Sequence, residues 1–457
     1  MPLPPLMKKL LFFLCLLGTL VMNTAAQPLR RVAPQRVGLD PVHLAYADTA
    51  IEAAIAHGEI PGAVLAVVRH GKMAYLKAYG NRQVWPDTLP MTTGTVFDMA
   101  SCTKPMATAV SVLQLAEQGR LRMLDAVNRY LPGFADWQPE GGAATEPIRI
   151  LHLMTHTSGL HPYVDVEAVA RRYGSPCPDG LMEYISTMPR DFAPATGFQY
   201  SCLNYVTLQH IVETITGQSL SDYAATHIFQ PLGMEHTGYN AWRMENGEGK
   251  IEDEELAAQG ELPSARNSQF SNLKSQFPQC NNSPFPQAKS SQFSIINSPF
   301  SIAPTTRQAD GTVLRGVVHD PLARVLNGGV SGNAGLFSTA DDVAIFCAAL
   351  QNGGEWNGHR ILSPRTVEAM RSVPREVASF GRTLGWDCFT AYASCNGDFF
   401  SPQTYSHTGF TGTSIVIDPV TDTSVILLIN AVHPEEGHSI VRLRSLISNI
   451  IAASIVR

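Results

Sequence analysis

The chain has 457 residues, 44% of them hydrophobic and 16% charged, with a formal net charge of −6. Such a composition suits a folded globular protein with apolar material for one large domain, or for two that share an interface. The acidic balance and the lack of any basic run exclude an electrostatic footprint for nucleic acid.

Residues 1–26 read as a secretory signal peptide. Lys8 and Lys9 precede an apolar run from Leu10 to Val21, and the small residues Thr24, Ala25 and Ala26 close it. Charged, apolar and cleavage-site regions stand in the order that export requires. The run is short for a membrane span, so the expectation is an exported protein, periplasmic or secreted, with no span in its mature form. Of eight cysteines, loss of Cys15 with the leader leaves seven, and none forms a C-x-x-C pair. That argues against a metal site and against a disulfide scaffold. Cys388 and Cys395 could still bridge a local loop in an oxidising compartment.

Next along the chain, "PVHLAYADTAIEAAIAHGEI" reads as an amphipathic helix ending before Pro61. "GAVLAVVRHGKMAYLKAYG" follows as two strands around the turn Arg69-His70-Gly71-Lys72. Helical periodicity dominates from about Ser101 to Met234, as in "MATAVSVLQLAEQG" and "YVTLQHIVETITG". Strand character returns in "TLGWDCFTAYA", "TYSHTGF", "GTSIVIDP" and "TSVILLINAV", and "SIVRLRSLISNIIAASIV" closes the chain as a helix. The order predicts an α/β fold with an inserted all-α domain, the α/β part being about 37–100 and 315–457 and the α part about 101–240. A site would lie between the two parts.

Residues 247–303 break this pattern. Within them NSQF, KSQF, NSPF, SSQF and NSPF recur, starting at 267, 274, 282, 290 and 297. Serine, asparagine, glutamine and proline at that density cannot build a core, so the segment is expected to be a disordered insertion.

The chemistry starts in "FDMASCTKPMATAV", where Ser101 stands three residues before Lys104, with Pro105 directly behind. On a helix that begins near Ser101 the two side chains share a face. A serine hydroxyl is a weak nucleophile until a neighbouring base takes its proton, and a lysine kept neutral by burial and nearby positive charge can do so. Proline is tolerated only in a helix's first turn, so Pro105 marks where this helix starts. Alone, the spacing is common enough to arise from a helix cap beside a solvated lysine.

Four further stretches accompany it: "LHLMTHTSGL" at 151–160, "FQYSCLNYVTLQHIVE", "YSHTGFTGTSIVIDP" and "GNAGLFSTADDVAIF". With them the chain, from about 37 to 450 without the insertion, resembles the serine β-lactamase and penicillin-recognising superfamily. It is most similar to the class C branch and its D-aminopeptidase, D-Ala-D-Ala carboxypeptidase and esterase relatives. The resemblance implies a β-lactamase/transpeptidase-like fold, an antiparallel sheet flanked by helices. It implies Ser101 as the acylated nucleophile, Lys104 as its base, and Tyr200 as a partner that shares the proton. It places the backbone N–H groups of Ser101 and Phe410 on the oxyanion, and His407, Thr408 and Gly409 as the third motif on the substrate.

Two positions depart from the family pattern. Cys202 stands where the second motif has an Asn or Asp, which leaves Asn204 as the candidate to replace it. His407 stands where many relatives have a lysine. A histidine is mostly neutral at pH 7, so recognition of a substrate carboxylate is expected to fade as pH rises, and strong β-lactamase activity is not expected. His152 and His156 lack the intervening glutamate of a zinc H-E-x-x-H site and belong to packing. "GGVSGNAG" reads as a tight turn rather than a nucleotide-binding loop, and no G-x-S-x-G occurs. The expectation is an exported serine hydrolase without cofactor or metal, acting on small molecules or short peptides, peptidoglycan fragments among them. The alternative is a penicillin-binding sensor, acylated but not turned over.

Overall fold

The computed structural model describes residues 28–142, 145–239 and 301–456. The leader, and the repeats from Asn267 to Phe300, lie outside the described residues. The sequence places Ser301–Ala303 in the insertion, yet Ile302 is fully buried and Ala303 nearly so. Ile302 forms a bridge with Val96, so the packed chain resumes before the expected boundary.

A six-stranded antiparallel sheet organises the molecule. In spatial order its strands are Leu89–Pro90, Lys72–Gln83, Gly62–Arg69, Thr423–Ile429, Ser414–Asp418 and Tyr405–Thr408. The predicted hairpin thus joins the last strands of the chain, with Ala63 opposite Ile429 and Arg69 opposite Thr423. Every residue of Gly62–Arg69 is buried, because the pleat sends alternate side chains to opposite faces and both faces are covered. Val64, Ala66 and Val68 enter one apolar cluster, while Ala63, Leu65 and Val67 enter the other.

The helices Pro41–Ala56 and Val441–Ala453 cover the second face through Leu44, Ala47, Ile51, Leu443, Ile447 and Ile451. The first is set by Asp40, whose side chain accepts from Val42 N–H, and by Pro41 at the first helical position. On the other face a single cluster runs from Val64 and Ile426 through helix Ala340–Gln351 to Leu203, Leu208 and Ile211. The helical part therefore packs onto the sheet through one continuous core.

One predicted strand is absent. "TLGWDCFTAYA" makes only isolated bridges at Arg382 and Asp387, then winds into the 3-10 turn Ala391–Asn396. Gly381 and Gly385 have φ of 71° and 105°, values that end an extended run, and the buried Arg382–Asp387 ion pair at 2.7 Å folds the segment back on itself. The turn also separates the two cysteines that the sequence left free to bridge a local loop. Cys388 packs on one apolar cluster, Cys395 lies in the other, and both are free thiols. Cys177 is disulfide-bonded. Among the described residues no helix is long and apolar enough to cross a membrane.

Candidate active site

Ser101 sits in a 3-10 turn, Ala100–Cys102, entered through Ala100 at φ 44°. That is an unfavourable conformation for alanine, and Asp98 holds it by accepting the Ala100 N–H at 2.8 Å. The bonds of the turn run from Cys102 N–H to Met99 O and from Thr103 N–H to Ala100 O, so the Ser101 N–H is not used by them. Lys104–Ala109 then forms a π-type turn before the α-helix Val110–Glu117. Pro105 has no N–H for the carbonyl of Ser101, and the wider turn is the backbone's answer.

Lys104 is fully buried. Its Nζ donates to Ser101 Oγ and to the main-chain oxygen of Asn333, both at 2.9 Å, and lies 3.7 Å from Cys202 Sγ. Burial alone would lower the lysine's pKa, but Cys202 and Tyr200 outweigh it and hold the pKa above its ordinary value. Burial raises the Tyr200 phenol further than Lys104 and Arg382 bring it down, and burial likewise raises Cys202. That direction runs against the lowered lysine pKa expected from the sequence.

The second motif sits at the start of helix Cys202–Thr216. Asn204 does not replace the missing amide. It is fully buried, accepts from Ser158 Oγ at 2.5 Å and donates to His156 Nδ1 at 3.1 Å. Those bonds turn it away from Lys104. The contact that sequence reasoning missed is the carbonyl of Asn333, from the stretch read only as a turn. Its side chain is held by Ser331 at 2.6 Å and Asp320 at 3.3 Å. A main-chain acceptor carries no residue-type signal, so only the family likeness of "GNAGLF" hinted at it.

The third motif ends strand Tyr405–Thr408 and is stitched to the Ser101 turn. Thr411 Oγ1 donates to Asp98 O at 2.7 Å, and Thr413 Oγ1 to Met99 O at 3.1 Å. Gly409 is required by this approach, since a Cβ there would lie 2.2 Å from Thr413 Oγ1 and 2.6 Å from Met99 O. Arg444 donates to Gly409 O and Thr413 O, both at 2.9 Å, which fixes the loop that carries Phe410. The Phe410 side chain is 65% exposed.

His407 is buried and donates from Nδ1 to Thr408 O at 3.0 Å. Burial, then the charges of Arg382 and Lys104, push its pKa well below the usual histidine value. It stays neutral where the sequence expected it to titrate, so a pH-dependent grip on carboxylates does not follow from it. The fixed cation on that side is Arg382, 1% exposed, its Nη1 paired with Asp387 and its Nε and Nη2 without a partner among the described residues. Sequence reasoning missed Arg382, which stands directly before the stretch read as a strand and carries no motif signal.

These groups line one cleft of about 340 Å³, with Ser101, Tyr200, Arg382, Tyr392, His407 and Phe410 on its walls. No group of three or more His, Cys, Asp or Glu side chains that could hold a metal occurs among the described residues.

A family model described as Beta-lactamase matches residues 47–447. An Escherichia coli (strain K12) protein provisionally named D-alanyl-D-alanine carboxypeptidase is 30% identical over 441 residues, covering 93% of this chain and 92% of its own. The N-acetylmuramyl-L-alanine amidase of Bacillus subtilis (strain 168) is also 30% identical, covering 86% and 83%. Among solved structures, EstCE1, a hydrolase with promiscuous acyltransferase activity, superposes with a TM-score of 0.64 at 22% identity, over 90% of this chain and 99% of its own. The octameric penicillin-binding protein homologue from Pyrococcus abyssi gives 0.57 at 21% identity, over 88% and 76%. At those identities the two structures speak for the fold.

Proposed function

The chain belongs to the beta-lactamase family, and from that premise we propose that it is an exported serine hydrolase of the class C-related branch, cleaving small amides or esters through an acyl-enzyme on Ser101. The observation that carries the reading is the bond from Lys104 Nζ to Ser101 Oγ at 2.9 Å, with Tyr200 on the same cleft. Ser101 Oγ attacks the substrate carbonyl carbon while its proton passes into the Lys104–Tyr200 pair. The oxyanion rests on the N–H groups of Ser101 and Phe410. Collapse breaks the bond to the leaving nitrogen or oxygen, which takes the proton from Tyr200. Water then attacks the acyl carbon, loses its proton to the same pair, and frees Ser101. The names of the two relatives favour peptidoglycan fragments as substrates.

A second reading rests on Cys202. Its thiol lies 3.7 Å from Lys104 where relatives place a carboxamide, and a site that acylates without efficient hydrolysis would act as a penicillin sensor. Purified protein with p-nitrophenyl acetate and with nitrocefin separates the two. Continued turnover supports the hydrolase, and one equivalent of product per chain supports the sensor. Labelling by fluorophosphonate that persists in Ser101→Ala would remove Ser101 from both.

A further inference from the structure

His156 is a fully buried titratable residue that the proposed reaction leaves idle. It follows helix Ile150–Met154 and adopts φ 59°, which non-glycine residues rarely hold unless their surroundings enforce it. The enforcement comes from the segment that carries Tyr200. The main-chain oxygen of His156 accepts the Gln199 N–H at 3.0 Å, and its Nδ1 accepts the Ser201 N–H at 3.2 Å. One residue thus grips the backbone on both sides of Tyr200.

Its ring also lies against the Tyr200 ring, centroids 4.4 Å apart and planes inclined at 33°. Tyr205 lies 5.2 Å from the same imidazole. The opposite partner of Tyr200 is Tyr392, 5.2 Å away and 52% exposed. The His156 contact is therefore buried and the Tyr392 contact open to solvent. Asn204 Nδ2 makes a second donation to His156 Nδ1 at 3.1 Å. With two N–H groups aimed at it, Nδ1 is the bare nitrogen and the proton sits on Nε2. Burial, then Arg382, Lys104 and His407, keep the ring from taking a second proton.

We propose that His156 is a positioning residue for Tyr200: its carbonyl, its Nδ1 and its ring face together hold the phenol beside the Ser101–Lys104 pair. A histidine meets all three demands, since it combines an acceptor at that reach with a flat uncharged face. The inference rests on the hydrolase reading above, and the test keeps the two apart.

The probe is p-nitrophenyl acetate, read by steady-state and stopped-flow kinetics. Ser101→Ala tests the hydrolase reading alone, because retained turnover there would sink that reading whatever His156 does. His156→Asn keeps an acceptor for the Ser201 N–H and suits left-handed backbone better than most residues, but it has no ring face. It is expected to lower kcat by about 10- to 100-fold with KM within about threefold, the cost of a small misplacement near the chemistry. The deciding measurement is the same change made in Tyr200→Phe. If His156 acts through Tyr200, His156→Asn has no further effect there; a merely structural role would multiply the two losses. Independent losses, or parent kcat in folded His156→Asn, overturn the proposal. Should His156→Asn not fold, Asn204→Ala removes one donor to Nδ1 and enters the same cycle. It is expected to cost about three- to tenfold in kcat, and that loss too should vanish in Tyr200→Phe.

Discussion

The two sides of the cleft are built on different terms. On the helical side, Lys104 touches Ser101, Asn333 and Cys202 and leaves no proton without a neighbour. On the strand side, His407 Nε2 and Arg382 Nε and Nη2 are buried without partners among the described residues. Buried polar groups cost free energy unless bonded, so the strand side carries a cost that the rest of the fold must offset; on the helical side Lys104 is bonded, and among the atoms there His156 Nε2 behind Tyr200 is likewise buried without a partner among the described residues. The difference teaches where stability and activity part company. Substitutions on the first side should end chemistry and spare the fold. Those on the second should reach the fold first.

The sharpest contrast comes from Ser101→Ala, expected to lower kcat roughly 10^4- to 10^6-fold while urea stability stays within about 0.5 kcal/mol. A large fall in stability would erase the distinction between the sides. In mirror image, Arg382→Met leaves Asp387 as a buried unpaired carboxylate, since the pair is only 1% and 2% exposed. Urea unfolding should show a loss of about 3–5 kcal/mol. An unchanged midpoint would mean that the ion pair does not hold the strand side.

The pH profile follows from the helical side. Lys104 and Tyr200 both have raised pKa values, so the base form is scarce at neutrality and grows as pH rises. The rate constant kcat/KM should climb by about tenfold per pH unit from pH 6 to 8. His407 and His156, both held well below the ordinary histidine value, should add no inflection in that range. A step near pH 6.5 that disappears in His407→Gln would show that the strand side titrates after all.

Smaller still is Cys202→Asn, which restores a carboxamide beside Lys104. One neutral hydrogen bond corresponds to about two- to tenfold, and the gain should appear in deacylation, followed by decay of a labelled acyl-enzyme. No change would mean that the Asn333 carbonyl already suffices. The smallest effect is a null one: preference for acid-ending over neutral substrates should vary by less than about twofold between pH 5.5 and 8, since the cleft wall on that side carries the Arg382 guanidinium and a His407 held well below the ordinary histidine value.

The same contrast explains what was legible beforehand. Ser101 and Lys104 are three apart on one turn, and the hairpin and buried strands write their alternation locally, so spacing and periodicity revealed them. The third motif was legible as a string, but the charge state of His407 depends on its burial and then on Arg382 and Lys104, which come from other segments. Asn333 acts through its backbone, and Asn204 fails because of Ser158 and His156, which approach from another segment. Local pattern reveals what a side chain is. Its neighbours from distant segments decide what it does.

The antiparallel sheet sets an order of events for the newly made chain. Arg69 Nε donates to Thr421 O, 352 positions away, and Gly62–Arg69 has Thr423–Ile429 as its central neighbour. The first hairpin is therefore made long before the strand that completes it, and closing so large a loop is slow. Thr423–Ile429 must be made before the sheet can close. On the export reading proposed above, that delay carries the chain to the translocation channel without a closed sheet to undo, and the fold is completed on the far side.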